Sequence, residues 1–127
     1  MIDHLSLQTD DYPAAVAWYD AILAVLGAGR LLEIDGVAAG YGPTGGAPSF
    51  WLGLATDPGG RQTHVAFTAA DRAAVVEFHR VAVALGGEVL HEPRVWPEYH
   101  PNYFAVFVRD PDGNNVEAVC HRPVENG

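Results

Sequence analysis

Hydrophobic and polar positions follow the same pattern in two blocks of the chain, residues 4–27 and 64–87. Each block begins with an alternating run of about five residues, continues through an Asp, and then carries apolar residues spaced three and four apart. Alternation predicts a strand with one buried face, and the wider spacing predicts a helix with one buried face. The predicted buried helix positions are Ala15, Trp18, Ile22 and Val25 in the first block and Val75, Phe78, Ala82 and Leu85 in the second.

The two blocks align without a gap at an offset of 60 residues, with six of 24 positions identical. Among the identities are His4 with His64, Asp11 with Asp71, and Gly27 with Gly87. An Asp can accept hydrogen bonds from the free N–H groups at a helix start, and a Gly commonly ends a helix. Each block therefore reads as a strand followed by about four turns of capped helix, and the chain contains an internal repeat.

Short strand-like runs separated by turn residues follow each helix. The runs are 30–34, 37–42 and 49–55 in the first half and 87–92, 103–108 and 115–119 in the second. The loop PTGGAP covers 43–48, and DPGGRQ at 57–62 is the predicted join. We therefore expect an α+β chain of two βαβββ modules, about 1–57 and about 62–121, within a single domain, 1–127.

Three residues with metal-binding side chains lie on the side of a predicted strand that faces away from a helix. Alternation places His4 with Ser6 and Gln8, His64 with Ala66 and Thr68, and Glu117 with Asn115 and Val119. The opposite faces are small or apolar and should meet the helices. Two imidazoles and one carboxylate suit a borderline divalent ion such as Fe, Mn, Ni, Co or Zn. The pattern thus predicts a metal site formed by His4, His64 and Glu117.

Composition and charge limit the classes of partner that this chain is expected to bind. The 127 residues are 49% hydrophobic and 18% charged, as in a globular domain with a core. The net charge is −9, and the seven basic residues are all Arg and scattered, which argues against nucleic acid and anionic membranes as partners. We find no apolar run of membrane-spanning length and no signal-peptide pattern at the start, and expect a cytoplasmic protein. Cys120 has no possible disulfide partner and is predicted to be a small core residue.

The paired modules, the strand-start histidines and the ending FVRDPDGNNVEAV together resemble the vicinal oxygen chelate superfamily. This superfamily includes glyoxalase I, methylmalonyl-CoA epimerase, extradiol dioxygenases, fosfomycin-resistance thiol transferases and bleomycin-resistance proteins. The resemblance implies that the modules curl into an incomplete barrel around a metal and substrate cavity, usually in a homodimer. It also implies that His4, His64 and Glu117 match three ligand positions. In such enzymes the ion chelates two adjacent oxygens of a small oxygen-rich organic molecule.

The chain departs from glyoxalase I at one ligand position. That enzyme carries a fourth acidic ligand on the last strand of its first module, whereas the corresponding run SFWLGLA has Trp51 or Leu52 at its centre and no acid. Asp57 lies only in the following loop. Three ligands suit the dioxygenase and thiol-transferase branches better, but dioxygenases are commonly longer and the transferases use basic residues for a phosphonate. Oxygenase, isomerase or lyase, and thiol-addition chemistry all stay open.

The segment HEPRVWPEYHPNYFAVF, residues 91–107, is rich in proline and aromatic residues. Tyr103, Ala105 and Phe107 share one strand face, which by the resemblance lines the cavity. Tyr103 or His100 would then donate to a metal-bound oxygen or move a proton. The predicted substrate contacts are Ser6, Trp51, Trp96 and Phe107. His79, His91 and His121 are expected to be structural or surface residues.

A second functional class competes with the enzyme. A non-catalytic protein that binds a drug or metabolite, as bleomycin-resistance members do, would use the acidic surface together with Trp18, Trp51 and Trp96. Such binders lack the metal triad, so the two histidines and Glu117 favour the enzyme. A member whose metal is only structural is a third alternative.

Overall fold

The computed structural model describes residues 2–56, 60 and 62–124, and the chain divides into two compact units, Met1–Thr63 and His64–Gly127. Each unit has one helix and one four-stranded sheet in the order βαβββ. Neither sheet closes into a barrel. The prediction of an α+β fold built from two βαβββ modules is therefore confirmed. Most of the predicted join at 57–62 lies outside the described residues, and the assignment of both units to a single domain stays a prediction.

The first unit contains strand β1 (Leu5–Thr9), helix α1 (Tyr12–Ala24) and strands β2 (Ala28–Ile34), β3 (Ala38–Pro43) and β4 (Phe50–Leu54). The sheet order is β1-β4-β3-β2, and only β1 and β4 run parallel. Helix α1 packs against β2 and β4. The core of the first unit consists of side chains that are almost fully buried, including Tyr19, Ile22, Tyr41 and Leu52.

The second unit repeats this topology with strand β5 (His64–Thr68), helix α2 (Arg72–Ala84) and strands β6 (Val89–Val95), β7 (Phe104–Arg109) and β8 (Asn115–Cys120). The sheet order is β5-β8-β7-β6, with β5 and β8 parallel. Helix α2 packs on one face of β6, β7 and β8. Cys120 is fully buried on that face, as the sequence predicts. No helix of the described chain is long and apolar enough to cross a membrane.

Both helices begin at the predicted aspartates. The Asp11 carboxylate accepts the Ala14 N–H at 3.1 Å, and the Asp71 carboxylate accepts the Ala74 N–H at 2.8 Å. Each bond satisfies one of the N–H groups that a helix start leaves without an intrahelical acceptor. Pro13 lies in the first turn of α1, where its missing N–H costs nothing.

The end of α2 differs from the prediction by one residue. Gly86, rather than Gly87, has the left-handed backbone, with φ +78°. The Gly86 N–H donates to the Val83 carbonyl at 3.0 Å and the Gly87 N–H donates to the Ala82 carbonyl at 2.9 Å, which is the pair of bonds of a Schellman motif. The predicted burial of Leu85 is also wrong: this residue caps the helix and is 42% exposed.

Candidate active site

A tight turn delivers Glu117 to the centre of the second sheet. The Asp110 carboxylate accepts the backbone N–H groups of Asp112 and Asn114 at 2.9 and 2.8 Å, and the Gly113 N–H donates to the Asp110 carbonyl at 3.0 Å. Gly113 has φ +85°, a conformation that a side chain at this position would strain. The turn joins β7 to β8 in antiparallel register, with Arg109 opposite Asn115. The sequence prediction of a turn ahead of the Glu117 strand is confirmed.

Glu117 is a buried carboxylate with two described side-chain partners. Its side chain is 2% exposed. The His64 Nε2 lies 2.8 Å from Glu117 Oε1, and the Tyr103 hydroxyl donates a hydrogen bond to Oε2. A buried carboxylate without partners would be costly, so these contacts account for its presence in the sheet. The second unit thus brings together three of the residues that the sequence singled out.

The local sequence explains why His64 and Tyr103 reach the same carboxylate. Across β5 the residue paired with Glu117 is Ala66, whose methyl group leaves room for the His64 side chain two residues earlier on the same face. Across β7 the paired residue is Phe107, and Tyr103 lies just before that strand. The His64 imidazole and the Tyr103 hydroxyl both reach the carboxylate.

The electrostatics of this group favour a neutral phenol at Tyr103. Burial, followed by the hydrogen bond to Glu117 and the charge of that carboxylate, raises the pKa of Tyr103 well above its ordinary value of 10. The phenol therefore keeps its proton at neutral pH and acts as a donor. The His64 side chain is half exposed, so the pair can be reached from solvent on the imidazole side.

His100 lies beside Tyr103 and is joined to a histidine that the sequence assigned to structure, His121. The Asn102 N–H donates to His100 Nδ1 at 3.0 Å, which places the proton of neutral His100 on Nε2, 2.9 Å from His121 Nδ1. Both imidazoles contact the Tyr103 ring, with centroids 5.4 and 5.2 Å away. The signal for His121 was its spacing: alternation from Glu117 through Val119 reaches it two residues later.

An aromatic wall adjoins Glu117 on the same face of the second sheet. Trp96, Ala105, Phe107 and Val119 form a buried cluster, with Leu90 and Tyr103 packed against it. The Trp96 indole donates to the Ala105 carbonyl at 3.3 Å, and the Arg94 guanidinium lies 3.4 Å from the centroid of the Trp96 ring. His91 packs edge-on against Trp96 and Phe107, at 5.0 and 5.5 Å between ring centroids, in line with its predicted structural role.

The first unit places His4, Ser6 and Trp51 on or beside β1 and β4. His4 immediately precedes β1, its side chain is 60% exposed, and its Nδ1 lies 2.7 Å from Asp3 Oδ1. Ser6 is paired with Trp51 across the parallel strands, just as Ala66 is paired with Glu117 in the second unit. Trp51 therefore occupies the position equivalent to Glu117, which decides between the two residues that the sequence offered for the strand centre.

A glycine accommodates this tryptophan. Gly40 is the cross-strand partner of Trp51, and a Cβ added to Gly40 would come within 2.8 Å of the indole ring. The ring therefore lies over bare backbone at the position where the second unit has the carboxylate. Leu52 points to the helix side and is 1% exposed. Trp18 is likewise a core residue, 5% exposed and packed edge-on against Tyr19.

The metal site called for by the sequence stays a prediction. Within the described part of each unit, no three or more His, Cys, Asp or Glu side chains form a group that could hold an ion. His64 and Glu117, both in the second unit, are brought together, whereas His4 belongs to the first unit.

Comparisons with known proteins agree with this architecture. The family model for the Glyoxalase/Bleomycin resistance protein/Dioxygenase superfamily matches residues 1–118. A solved glyoxalase/bleomycin resistance protein from Albidiferax ferrireducens T118 is 23% identical, with a TM-score of 0.77 over 94% of this chain and 97% of that one. A lactoylglutathione lyase from Agrobacterium tumefaciens is 28% identical, with a TM-score of 0.69 over 94% and 92%. A search of curated proteins gave no significant match.

Proposed function

Because the chain belongs to the glyoxalase/bleomycin resistance protein/dioxygenase superfamily, we propose that it is a metal-dependent enzyme acting on a small, oxygen-rich organic molecule. The observation that supports this most is the buried Glu117 carboxylate held against His64 Nε2 at 2.8 Å. His64, Glu117 and His4 are the proposed ligands of a divalent ion. A homodimer and a cytoplasmic location belong to the same proposal.

The donor set of the second unit fits a divalent ion. Divalent ions such as Zn bind imidazole nitrogen and carboxylate oxygen at roughly 2.0–2.2 Å, so neighbouring ligand atoms lie roughly 3 Å apart in octahedral and roughly 3.4 Å apart in tetrahedral coordination. The spacing between His64 Nε2 and Glu117 Oε1 is 2.8 Å. Glu117 also brings a buried negative charge that a cation would compensate. Fe, Mn, Ni, Co and Zn all accept this combination of ligands.

A divalent ion held by His4, His64 and Glu117 would supply Lewis-acid stabilisation of negative charge on the oxygens of a substrate. The residues of the chain itself orient the metal ligands and move protons. The Tyr103 hydroxyl donates a hydrogen bond to Glu117 Oε2 and thereby orients the carboxylate, and the raised pKa of Tyr103 keeps the proton on the phenol. Second contacts of this kind orient metal ligands and tune their basicity.

Proton movement falls to the imidazole pair beside Tyr103. The hydrogen bond from the Asn102 N–H fixes the proton of neutral His100 on Nε2, facing His121 Nδ1. His121 is exposed, so its second nitrogen can exchange a proton with water. Phe107 and Trp96 form the apolar wall against which the carbon skeleton of the substrate packs, and Ser6 and Trp51 are proposed as contacts from the first unit.

The test is the metal content of untagged protein purified without oxygen, compared among the wild type and the variants His4→Ala, His64→Ala and Glu117→Ala. We expect about one ion per chain in the wild type and loss of the ion in all three variants. His79→Ala, which changes a histidine on α2, is the matched control and should keep the ion. Retention of the ion by the Glu117→Ala variant would contradict the proposed ligand set.

The second candidate is a protein that binds a drug or metabolite without transforming it. The aromatic wall around Trp96 favours it, because a rigid apolar surface with nearby polar groups is typical of small-molecule sites. This candidate predicts a wild type that contains no ion and takes up none of Fe, Mn, Ni, Co or Zn on titration. That outcome would replace the enzyme proposal with the binding proposal.

A further inference from the structure

The arginines of this chain divide into two groups. Acidic residues outnumber basic ones by 16 to 7, so the chain has more carboxylates than arginines. Of the six described arginines, four form ion pairs with carboxylates: Arg30 with Asp20 and Glu33, Arg80 with Glu77, Arg94 with Glu98, and Arg109 with Glu88. Within the described residues, Arg72 and Arg122 have no such carboxylate.

These two arginines line the same cavity. The cavity has a volume of about 390 Å³ and is bounded by residues 71–73, 120 and 122–124. It lies in the second unit, where the start of α2 meets the end of β8. Cys120, which lines it, alternates with Glu117 and Val119 along β8, so the cavity is on the helix side of the sheet and the Glu117 group is on the other side. Small-molecule sites have volumes of roughly 300–1,000 Å³.

The Arg72 guanidinium contacts an aromatic ring, but one of its hydrogen-bond donors has no acceptor among the described residues. Its central carbon lies 5.1 Å from the centroid of the Phe104 ring, a cation–π contact that fixes the plane of the group. Its Nε is buried and has no hydrogen-bond partner among the described residues. Leaving a buried donor of a charged group without an acceptor is unfavourable, and an acceptor entering the cavity would remove that cost. A guanidinium forms two parallel hydrogen bonds with carboxylate or phosphate oxygens.

The remaining lining completes a cationic site. The Arg122 backbone N–H donates to Cys120 Sγ at 3.4 Å, which ties the second arginine to the end of β8. Asp71 is the opposing charge, and its carboxylate is engaged by the Ala74 N–H at the helix start. Among the described lining residues, two arginines and one aspartate give a net positive charge, within a chain whose net charge is −9.

We propose that this cavity binds an oxyanion, the carboxylate or phosphate group of a small molecule, through the Arg72 and Arg122 guanidiniums. The proposal is independent of the metal site. The Glu117→Ala variant, which tests the metal proposal, should therefore bind the anion as the wild type does.

The experiment is calorimetric titration of the full chain with inorganic phosphate and with malonate, each at an ionic strength matched with sodium chloride. We expect saturable binding of at least one probe, and the probe that binds distinguishes phosphate from carboxylate recognition. Arg72→Gln and Arg122→Gln should each weaken binding roughly tenfold or more. Arg80→Gln is the matched control, because Arg80 lies on the same helix but is paired with Glu77, and it should bind as the wild type does.

Asp71→Asn provides a test of opposite sign. Asparagine keeps an oxygen that can accept the Ala74 N–H, but it removes the one negative charge among the described lining residues. Binding of the probe should therefore become several-fold tighter. The proposal is overturned if neither probe binds beyond the sodium chloride control, or if Arg122→Gln, which changes an exposed side chain and leaves the core intact, binds as tightly as the wild type.

Discussion

At Glu117 the protein buries a carboxylate in the middle of a sheet and surrounds it with one imidazole and one phenol. Removing a carboxylate from water is costly unless it gains strong partners, and each partner here contacts a different oxygen. His64 is half exposed, whereas Tyr103 keeps its proton because burial raises its pKa. Tyr103 therefore orients the carboxylate from one side. On the other side, the half-exposed His64 leaves the carboxylate open to a change of partner.

At this scale we predict that Tyr103→Phe weakens metal binding. The substitution keeps the ring in the aromatic wall but removes the hydroxyl that fixes Glu117 Oε2, and loss of such a contact typically lowers metal affinity by roughly 10–100-fold. Competition with a chromogenic chelator measures the effect. Tyr99→Phe is the matched control: Tyr99 is 60% exposed and packs on Tyr103, at 4.8 Å between ring centroids, and its loss of hydroxyl should leave affinity unchanged. Equal affinities for the two variants would contradict the positioning role of Tyr103.

The helices begin and end at residues whose side chains or backbone conformations are specified by the local sequence. Asp11 and Asp71 mark the two helix starts, and both accept the expected N–H group. The end of α2 is less readable, because two glycines follow one another and either could adopt the left-handed conformation. The hydrogen bonds from Gly86 to Val83 and from Gly87 to Ala82 decide the matter in favour of Gly86.

The corresponding prediction concerns Gly86. At φ +78° an alanine is strained, so Gly86→Ala should lower the free energy of unfolding by about 1 kcal/mol. Asparagine tolerates this region better, so Gly86→Asn should recover part of the loss. Urea denaturation of both variants and the wild type provides the measurement. Gly29→Ala, where nothing lies within 4 Å of an added Cβ and φ is not positive, controls for the change of residue type. Equal destabilisation by Ala and Asn would show that backbone conformation is not the cause.

At the scale of the whole molecule, the ligands predicted for one metal site are divided between two units. His4 is in the first unit, and His64 and Glu117 are in the second. We expect a homodimer, with a mass by light scattering of twice the 13.6 kDa of one chain. A monomer that retains its ion would contradict that expectation and would exclude a site shared between chains.

In a dimer, mixing variants distinguishes a site within one chain from a shared one. The variants His4→Ala and Glu117→Ala are each expected to lack the ion. If His4 of one chain met His64 and Glu117 of another, unfolding and refolding the mixture would restore about a quarter of the wild-type metal, because half of the dimers would be mixed and each would hold one intact site. A site within one chain restores none.

The sequence by itself determined the two βαβββ modules and the helix starts, and it singled out the candidate site residues. The modules and helix starts depend on local rules, namely side-chain alternation, three–four periodicity and capping, and the internal repeat shows both features twice. The sequence also placed Glu117 and Tyr103 on one side of their strands, because alternation continues for as long as the strand does.

Only the tertiary structure decided which side chains meet. Strand register sets the contacts across a sheet, and register is fixed by pairing between segments far apart in the chain. It placed Ala66 opposite Glu117 and so allowed His64 to reach the carboxylate, and it placed Trp51 over Gly40 at the equivalent position of the first unit. It also joined His121 to His100, and brought Arg72 and Arg122, 50 residues apart in the sequence, to one cavity. Periodicity assigns a residue to a face, but a contact between faces requires the folded pairing of strands and helices.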